Sequence, residues 1–421
     1  MFNLVFADEK GRVFDHPDLQ LVGRLGNQLV EAVSEEMIPL PDGASLTLLP
    51  DRYPVGFAAD TGEFTVLTSN PFNRQTSKVS AVAALLPQGY TRTLLPGFVR
   101  PRGAGPLPLF GYAAVGWRDG GFYVAAQPTD EDHQWNPRHY NGAELAQLVA
   151  AKREQHPHNR ILRQLSRCAL EYSCYTAQNI FYGRWEGGIP VSPGCNAQCL
   201  GCISEQPAEC CPAPQSRIDF TPTVEEIVEV AVDHLMYAPA GIVSFGQGCE
   251  GEPALRARDL GPAIRRIREL VSRGTINMNT NGGYTEGIRA ICTAGLEAIR
   301  VSLISTDPQI YASYYRPRGY TLENVVESLR VAVANGVYTS LNLLVFPGVT
   351  DREEEVEGLI NLVEQTGVHL IQLRNLNIDP DVYLATIPPA RGETLGIPGF
   401  LQALRENLPR VAIGSFSRPV R

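Results

Sequence analysis

The chain has 421 residues, 44% of them hydrophobic and 19% charged, and its formal net charge is −9. This composition is typical of a globular protein with room for more than one domain, and it excludes a largely disordered chain. The negative charge argues against non-specific binding to nucleic acid or to an anionic membrane surface. No apolar run reaches the roughly eighteen residues of a membrane span and the first residues lack a secretory signal, so we expect a cytoplasmic protein.

The first part of the chain shows two hairpin signals. Residues 56–67 carry Asp-Thr-Gly between two β-type runs, and residues 115–126 carry Asp-Gly-Gly in the same position. Aspartate and glycine tolerate the left-handed backbone that tight hairpins require. The proline- and glycine-rich stretch 100–108 is a candidate linker. We therefore predict a small mixed α+β accessory domain over residues 1–105, a candidate for substrate recognition.

Helices are expected after this region. Asn141, with Glu144 three residues later, predicts one helix start, and a second helix is expected near residues 159–174. We interpret residues 106–184 as a connecting segment, a hairpin followed by helices, that packs on the next domain.

From about residue 220 the chain alternates short apolar runs with amphipathic helices. The runs are continuously hydrophobic, as in buried parallel strands. Repeated βα units predict a parallel sheet or barrel whose active site gathers at the carboxyl ends of the strands. We expect this barrel over residues 185–376 and a C-terminal extension over 377–421 that closes it. The predicted strands are 241–245, 275–280, 299–304, 340–346 and 369–373, and the predicted helix starts are Thr221 with Pro222, Thr321, and the capping box Thr350-Asp351-Arg352-Glu353.

The cysteines are concentrated in one part of the chain. None of the nine occurs in the first 167 residues, and seven lie between Cys168 and Cys211. Residues 192–202 read SPGCNAQCLGC and contain three of them within eight residues. In a cytoplasmic protein such cysteines indicate metal binding or catalysis rather than disulfides.

Three interpretations of the triplet are open from its spacing alone. It could be a structural zinc or iron–sulfur site that Cys210 or Cys211 completes. The pair Cys199 and Cys202 could be a redox motif. Finally, the triplet could hold an iron–sulfur cluster by three irons and leave the fourth iron for another ligand.

Three downstream stretches favour the last interpretation. The sequence GQGCEGEP (246–253) follows the first predicted strand, and its glycines allow a ligand to approach the backbone closely. The second strand ends in MNTNG (278–282), where polar groups are expected to meet ligands. Ser302 lies inside the otherwise apolar third strand.

Together these features resemble the radical S-adenosylmethionine (radical SAM) superfamily over about residues 185–376. The resemblance implies a partial (β/α)6-type radical SAM barrel, within an α/β fold that also carries the mixed α+β N-terminal domain. It also implies that the C-x-x-x-C-x-x-C motif holds a [4Fe–4S] cluster and that S-adenosylmethionine binds the open iron. The implied metal ligands are Cys195, Cys199 and Cys202, and the implied cofactor-binding residues are Glu250, Gly251, Glu252, Pro253, Asn279, Thr280, Asn281, Ser302, Arg316 and Arg318.

The resemblance further implies an oxidoreductase chemistry. The cluster would pass one electron into the sulfonium of S-adenosylmethionine, and the resulting 5′-deoxyadenosyl radical would abstract hydrogen from a substrate. The substrate, a peptide, a protein or a small molecule, is not specified by the sequence. A low-potential electron donor such as flavodoxin or ferredoxin is the implied partner. Residues 345–359 resemble the fifth βα unit of the family, whose backbone often faces adenine.

The sequence departs from the family pattern at two positions. Gly201 stands where an aromatic residue usually packs near adenine, and Glu250 replaces the first glycine of the GGEP-like motif. Cys168, Cys174, Cys210 and Cys211 are weak candidates for an auxiliary cluster, and we interpret Tyr314, Tyr315 and Tyr320 as packing residues. The alternative function is a non-catalytic protein that uses the cysteine cluster structurally, with iron–sulfur or zinc.

Overall fold

A computed structural model describes residues 1–73, 78–130, 133–205 and 213–420. The chain divides into two compact units, each built from separate segments. The first comprises Met1–Glu131, Leu344–Glu357 and Leu373–Pro409, and the second comprises Asp132–Leu343, Gly358–Gln372 and Arg410–Arg421. This division differs from the predicted boundaries at 105, 184 and 376, because the contacts of the N-terminal region extend to two later segments. Among the described residues, no helix is long and apolar enough to cross a bilayer.

The first unit is built on a mainly antiparallel β-sheet. Its order along the main path is β11-β6-β2-β1-β12-β13-β4, with the remaining strands pairing at its branches. The strands are β1 Asn3–Asp8, β2 Val13–Leu25, β3 Gln28–Glu31, β4 Met37–Pro39, β5 Ser45–Leu49, β6 Tyr53–Ala58, β7 Glu63–Val66, β8 Val79–Leu85, β9 Tyr90–Arg92, β10 Leu95–Pro96, β11 Phe98–Val99, β12 Val115–Arg118 and β13 Gly121–Pro128.

This region is richer in strands than the predicted mixed α+β domain. Before Leu145 the described residues contain short 3-10 turns, such as Ser34–Glu36, but no α-helix. Turn-forming residues interrupt this part of the sequence every few positions, so no segment is long enough to form an α-helix. Both predicted hairpins are confirmed as the pairs β6–β7 and β12–β13. The second turns through Asp119 and Gly120 at φ of 49° and 84°, the left-handed backbone that a two-residue hairpin needs.

Buried polar contacts hold the later segments of the first unit onto its sheet. Arg52 and Asp379 form an ion pair of 3.0 Å in which both side chains are 1% exposed or less. Arg92 donates to the Leu376 carbonyl at 2.7 Å. At the end of the β2–β3 hairpin, Gly26 N–H donates to the Pro347 carbonyl at 2.9 Å. A Cβ on the adjacent Gly348 would lie 2.1 Å from the Gly26 nitrogen, so only glycine fits there.

The other sheet has seven strands in chain order, from β14 to β20. The pairings from β14 to β18 and between β19 and β20 are parallel. All five predicted strands are confirmed within one or two residues, whereas the short first and last strands were not predicted. The strands are β14 Glu186–Gly188, β15 Ile242–Phe245, β16 Thr275–Thr280, β17 Ala298–Leu303, β18 Tyr338–Val345, β19 Leu370–Asn375 and β20 Ala412–Gly414.

Helices connect most of these strands, as expected for a parallel sheet. Apolar residues such as Val243, Met278 and Leu341 are completely buried on alternate positions of the strands. The described helices are α1 Leu145–Gln155, α2 Arg160–Leu170, α3 Tyr175–Tyr182, α4 Val224–Tyr237, α5 Ala257–Leu270, α6 Thr285–Thr293, α7 Pro308–Tyr315, α8 Leu322–Ala334, α9 Glu353–Thr366, α10 Pro380–Leu384 and α11 Gly396–Asn407.

Three of the four predicted helix starts need correction. Helix α4 is capped by Thr223 rather than Thr221, and α1 begins after Glu144 without an Asn141 cap. Asn141 instead accepts a hydrogen bond from Gln178 through its side chain. Thr350 does not cap α9, because its hydroxyl accepts from the Phe346 N–H at 2.9 Å. The helix start predicted at Thr321 is confirmed, and this residue forms a capping box with Asn324 that was not predicted.

Candidate cofactor site

The cysteine triplet lies in the loop that follows β14, at the carboxyl end of the parallel sheet. Backbone hydrogen bonds fix this loop on both sides of Cys199. Gln198 N–H donates to the Tyr315 carbonyl at 3.0 Å, and Leu200 N–H donates to the Tyr314 carbonyl at 2.8 Å. Both tyrosine side chains are buried, in agreement with the predicted packing role. The loop is therefore held in place by the C-terminal turn of α7.

Arg318, a predicted cofactor-binding residue, contacts the same loop. Its N–H donates to the Asn196 carbonyl and its Nη2 donates to Gln198 Oε1, both at 2.8 Å. Arg316 ends α7 with a left-handed φ of 46°, which turns the chain toward Arg318. These contacts give Arg318 a role in supporting the loop that the sequence did not reveal.

Burial dominates the electrostatics of the three thiols. It raises the pKa of Cys195 to about 11, with the Glu252 carboxylate adding to the effect. Burial also raises the pKa of Cys199 well above its usual range, and the charges of Cys202 and Cys195 add to that shift. The three sulfurs thus lie within electrostatic reach of one another. The raised pKa values favour the protonated thiols of Cys195 and Cys199 in the free protein, and binding a metal would release their protons.

Two donors approach the sulfur atoms of the triplet. Arg217 Nη2 lies 3.6 Å from Cys202 Sγ, and Asn281 Nδ2 lies 4.0 Å from Cys195 Sγ. A cation and an amide beside the sulfurs stabilise thiolate rather than thiol. Asn281 was predicted as a site residue, but Arg217 was missed, because nothing in its neighbouring sequence marks it as functional.

Thiolates are the ligands that both structural zinc sites and iron–sulfur clusters use. No group of three or more His, Cys, Asp or Glu side chains in the described residues could hold one metal ion. A tetrahedral zinc site would bring its sulfurs within about 4 Å of each other, since each lies about 2.3 Å from the metal. Three thiolates that bind separate irons of a cluster stand further apart. Cys210 and Cys211, the predicted fourth ligands of a closed site, lie outside the described residues.

Glu250, the residue that departs from the family pattern, ties the glycine loop to the cysteine loop. Its Oε2 accepts from the Val191 and Ser192 N–H groups at 2.7 and 3.0 Å. Its Oε1 accepts from the Gly246 and Gln247 N–H groups at 2.6 and 3.0 Å. Burial raises the pKa of this carboxyl to about 7, although the four N–H donors oppose the shift. Both carboxylate oxygens of Glu250 are thus occupied by hydrogen bonds from the protein backbone.

The next two residues contact the cysteine loop through their backbone. Gly251 N–H donates to the Ser192 carbonyl at 2.7 Å, and Glu252 N–H donates to the Gly194 carbonyl at 2.8 Å. A Cβ on Gly251 would lie 2.0 Å from the Gly194 oxygen, so a larger residue would push the two loops apart. The motif glycine is required here for packing between loops.

The Glu252 carboxylate connects this motif to the end of β16. It accepts from the Thr280 hydroxyl at 2.6 Å and from the Asn281 N–H at 2.7 Å. It also accepts from the Ala254 N–H at 2.9 Å, which caps the 3-10 turn Pro253–Arg256. Burial is the largest influence on the pKa of Glu252 and raises it. The structure therefore gathers Glu250 to Pro253, Thr280, Asn281 and Arg318 around the cysteine loop.

Asn279 and Ser302 lie on the strands rather than in this cluster of loops. Asn279 is 7% exposed, and its Nδ2 has no hydrogen-bond partner among the described residues. Ser302 is half-buried on β17 and pairs in register with Asn342. An orphaned buried donor is costly unless a ligand satisfies it, which is consistent with a bound molecule above Asn279.

A second group of thiols lies behind the glycine loop. Cys168 and Cys249 form a hydrogen bond that lowers the pKa of Cys168, while burial raises the pKa of the neighbouring Cys174. Cys168 also accepts from Gln164 Nε2 at 3.4 Å. The predicted auxiliary cluster also used Cys210 and Cys211, which lie outside the described residues, so it stays a prediction.

Comparison with known proteins agrees with this geometry. Residues 189–362 match the family described as the Radical SAM superfamily. A probable GTP 3′,8-cyclase of Methanosarcina mazei is 28% identical, over 49% of this chain and 60% of the relative. The FeMo cofactor biosynthesis protein NifB of Azotobacter vinelandii is 23% identical, over 50% of this chain and 43% of the relative. A radical SAM methyltransferase structure from Sphaerobacter thermophilus is 16% identical, with a TM-score of 0.41 over 55% of this chain and 66% of that one.

Proposed function

Because residues 189–362 belong to the radical SAM superfamily, we propose that this chain is an enzyme that cleaves S-adenosylmethionine reductively and abstracts hydrogen from a substrate. The observation that carries the proposal is the cysteine loop itself. Three thiols share one loop at the carboxyl edge of the parallel sheet, and donors from Arg217 and Asn281 face two of them. The family uses a [4Fe–4S] cluster and S-adenosylmethionine.

We assign the three cysteines as the residues that would hold the cluster, which would supply the electron for breaking a carbon–sulfur bond of S-adenosylmethionine. The residues around it have structural tasks. Glu250, Gly251 and Arg318 hold the cysteine loop in a fixed position. Arg217 places a positive charge beside one thiolate ligand, which favours the more negative, reduced state of a bound cluster.

S-adenosylmethionine is expected to lie over the carboxyl ends of β15 to β17. The half-buried Ser302 hydroxyl on β17 offers a hydrogen bond to its polar groups. Glu250, by contrast, has no free oxygen for a ligand, because both its oxygens accept backbone hydrogen bonds. We therefore expect Glu250 to act on the cofactor only through the loops that it connects.

The chain spans 60% and 43% of the lengths of the two relatives described above, so their activities do not transfer to it as a whole. A low-potential flavodoxin or ferredoxin is the expected donor, since the electron must enter a cluster of low potential.

The test is anaerobic reconstitution of the full chain with iron and sulfide, followed by reduction with dithionite in the presence of S-adenosylmethionine. We expect about four irons per chain, a charge-transfer absorbance from thiolate to iron, and formation of 5′-deoxyadenosine with methionine. Deuterium transfer from candidate substrates into 5′-deoxyadenosine would then identify the substrate.

Alanine at Cys195, Cys199 and Cys202 is expected to abolish iron binding and cleavage together. Cys292→Ala is the matched control, because Cys292 is also buried but lies in α6. Zinc in place of iron would overturn the proposal in favour of the structural alternative. So would a stable cluster that never cleaves S-adenosylmethionine.

A further inference from the structure

One face of the parallel sheet carries a row of polar side chains at alternate strand positions. Successive residues of a strand point to opposite faces, so i and i+2 share one face. Apolar residues such as Ile276, Met278, Ile299 and Val301 are fully buried on the other face. The polar row consists of Glu186, Ser244, Asn277, Asn279, Arg300, Ser302, Ser340, Asn342 and Gln372.

A chain of hydrogen bonds crosses three strands of this face. Ser244 Oγ donates to Glu186 Oε1 at 2.6 Å, and Asn277 Nδ2 donates to Ser244 Oγ at 2.9 Å. Asn277 Nδ2 also donates to Asn279 Oδ1 at 3.1 Å. The Ser244 hydroxyl donates to Glu186, so it accepts from the Asn277 amide, which also donates to the Asn279 oxygen. Asn279 must therefore turn its Nδ2 away from Asn277.

Arg300 lies on β17 directly opposite Asn279 in the register of the sheet. Its side chain is half-buried, and burial lowers its pKa. The guanidinium is thus surrounded by protein on most sides but reachable by a ligand. Within the described part of the chain it donates only through Nη1, to Gln372 Oε1 at 3.1 Å and Ser417 Oγ at 3.4 Å.

The donors and acceptors of this region do not balance. Asn279 Oδ1 and Gln372 Oε1 already accept hydrogen bonds from neighbouring side chains. Arg300 keeps Nη2 and Nε, and the buried Asn279 keeps Nδ2, without an acceptor in the described residues. A ligand that completes this region must therefore bring acceptor atoms, and a formal negative charge would also compensate the guanidinium.

We propose that Arg300 and Asn279 form an oxyanion-binding site for the substrate, which would be a polar small molecule with a carboxylate or phosphate group. This inference rests on the proposed function and names the substrate class. The nearby Glu186 carboxylate attracts Arg300 and weakens the site for anions. Its charge also disfavours ligands with several negative charges, which favours a single oxyanion.

Binding of inorganic phosphate and of acetate to the full chain, without cluster or S-adenosylmethionine, tests the site directly. Titration calorimetry at constant ionic strength is expected to show binding of at least one anion. The anion that binds with higher affinity shows whether the substrate group is a phosphate or a carboxylate. Arg300→Gln should weaken that binding by roughly tenfold or more, since a charged hydrogen bond is lost. Glu186→Gln should strengthen it.

Arg266→Gln is the matched control, because Arg266 lies on the exposed surface of α5 and pairs with Glu269. It should leave anion binding unchanged. Equal binding by wild type and Arg300→Gln, or binding of neither anion by the wild type, would overturn the proposal. Circular dichroism of each variant establishes that it is folded.

The cofactor offers a separate check, because S-adenosylmethionine itself carries a carboxylate. Reconstituted Arg300→Gln is expected to keep its iron and its affinity for S-adenosylmethionine. A loss of that affinity would reassign Arg300 to the cofactor and overturn the substrate assignment. Failure of the wild type to cleave S-adenosylmethionine would refute the proposed function, while the anion titration would still report on this site.

Discussion

At the scale of single residues, Glu250 stands where the family motif has a glycine, and its side chain fixes two loops through hydrogen bonds. Four backbone N–H groups from two loops converge on one buried carboxylate. A bare carboxylate would be destabilised by this burial, and the donors offset the cost. The loop that bears the cysteines therefore depends on Glu250, which lies after the next strand of the chain, β15.

Glu250→Gln tests this dependence. An amide has one acceptor oxygen, and its NH2 group would face N–H donors, so we expect a loss of about 2–4 kcal/mol in the free energy of unfolding. Urea denaturation of the metal-free chain measures it. Glu286→Gln, on the exposed surface of α6, should change little, and an unchanged midpoint for Glu250→Gln would contradict the role described.

His234 predicts a dependence of stability on pH. Its Nε2 bonds to the Trp185 carbonyl at 2.8 Å, and its buried Nδ1 has no partner among the described residues. Burial lowers its pKa from 6.5 to about 4. The unfolded chain therefore takes up a proton at higher pH than the folded one. The free energy of unfolding should fall as the pH drops from about 6.5 to about 4, by roughly 3 kcal/mol.

Urea unfolding at a series of pH values in that window measures the slope. His234→Gln keeps a donor for the Trp185 carbonyl but cannot titrate, so the slope should flatten. His158→Gln, at an exposed position, should retain it. A slope that is the same in all three proteins would show that other groups cause it.

At the scale of elements, the start of α4 depends on a contact that the local sequence does not contain. Thr223 and Glu226 form a reciprocal capping box. Arg160 binds both Glu226 oxygens and also donates to the Thr221 carbonyl at 2.9 Å. The side chain of Arg160 holds the pKa of Glu226 at about 2. Threonine at 221 or 223 fits a cap equally well in sequence, and tertiary contacts decide between them.

Thr223→Ala should therefore cost about 1 kcal/mol of stability, the usual value of an N-cap hydrogen bond. Thr221→Ala is the matched control, since Arg160 contacts only the backbone carbonyl of that residue, and its effect should be within about 0.5 kcal/mol. Thermal unfolding of the two variants compares them. A larger effect at 221 than at 223 would mean that the helix begins at the position predicted from sequence.

The contrast between local patterns and tertiary contacts also explains which features could be predicted from the sequence. The strands β15 to β19 were predictable because short runs rich in apolar and β-branched residues, separated by helical segments, are a local property, and the cysteine motif was recognisable from its spacing. Their alternate polar positions were not foreseen, because the runs were interpreted as continuously apolar. The strand β14, with only Glu186 and two glycines, has no such pattern. Arg217 and the role of Glu250 depend on contacts between loops distant in sequence. Arg300 did give a signal, since an arginine inside a buried strand is unusual.

At the scale of the whole molecule, the N-terminal region cannot be treated as a removable module. Its sheet holds Leu376 and Asp379 through Arg92 and Arg52. Removal of residues 1–105 would leave the Asp379 carboxylate without its cation. We expect that truncation to aggregate, so a role in substrate recognition should be tested with point substitutions on the surface.

Asp379→Asn measures the energy of this connection. It leaves the Arg52 cation buried and unpaired, so we expect a loss of about 3–5 kcal/mol in the free energy of unfolding. Asp381→Asn is the control, because Asp381 pairs with Arg24 at 3.0 Å but its side chain is 29% exposed. It should cost less than about 1 kcal/mol. Equal effects at the two positions would show that burial of the first pair does not matter.

The discontinuity of the first unit has a consequence for biosynthesis. Its opening strands emerge early from the ribosome, but Leu344–Glu357 and Leu373–Pro409 complete the unit only after residues 132–343 have been translated. At ordinary elongation rates this delay is roughly ten to forty seconds. During that time a nascent β-sheet lacks part of its partners, so we expect the folding yield of this protein to depend on chaperones that act during synthesis.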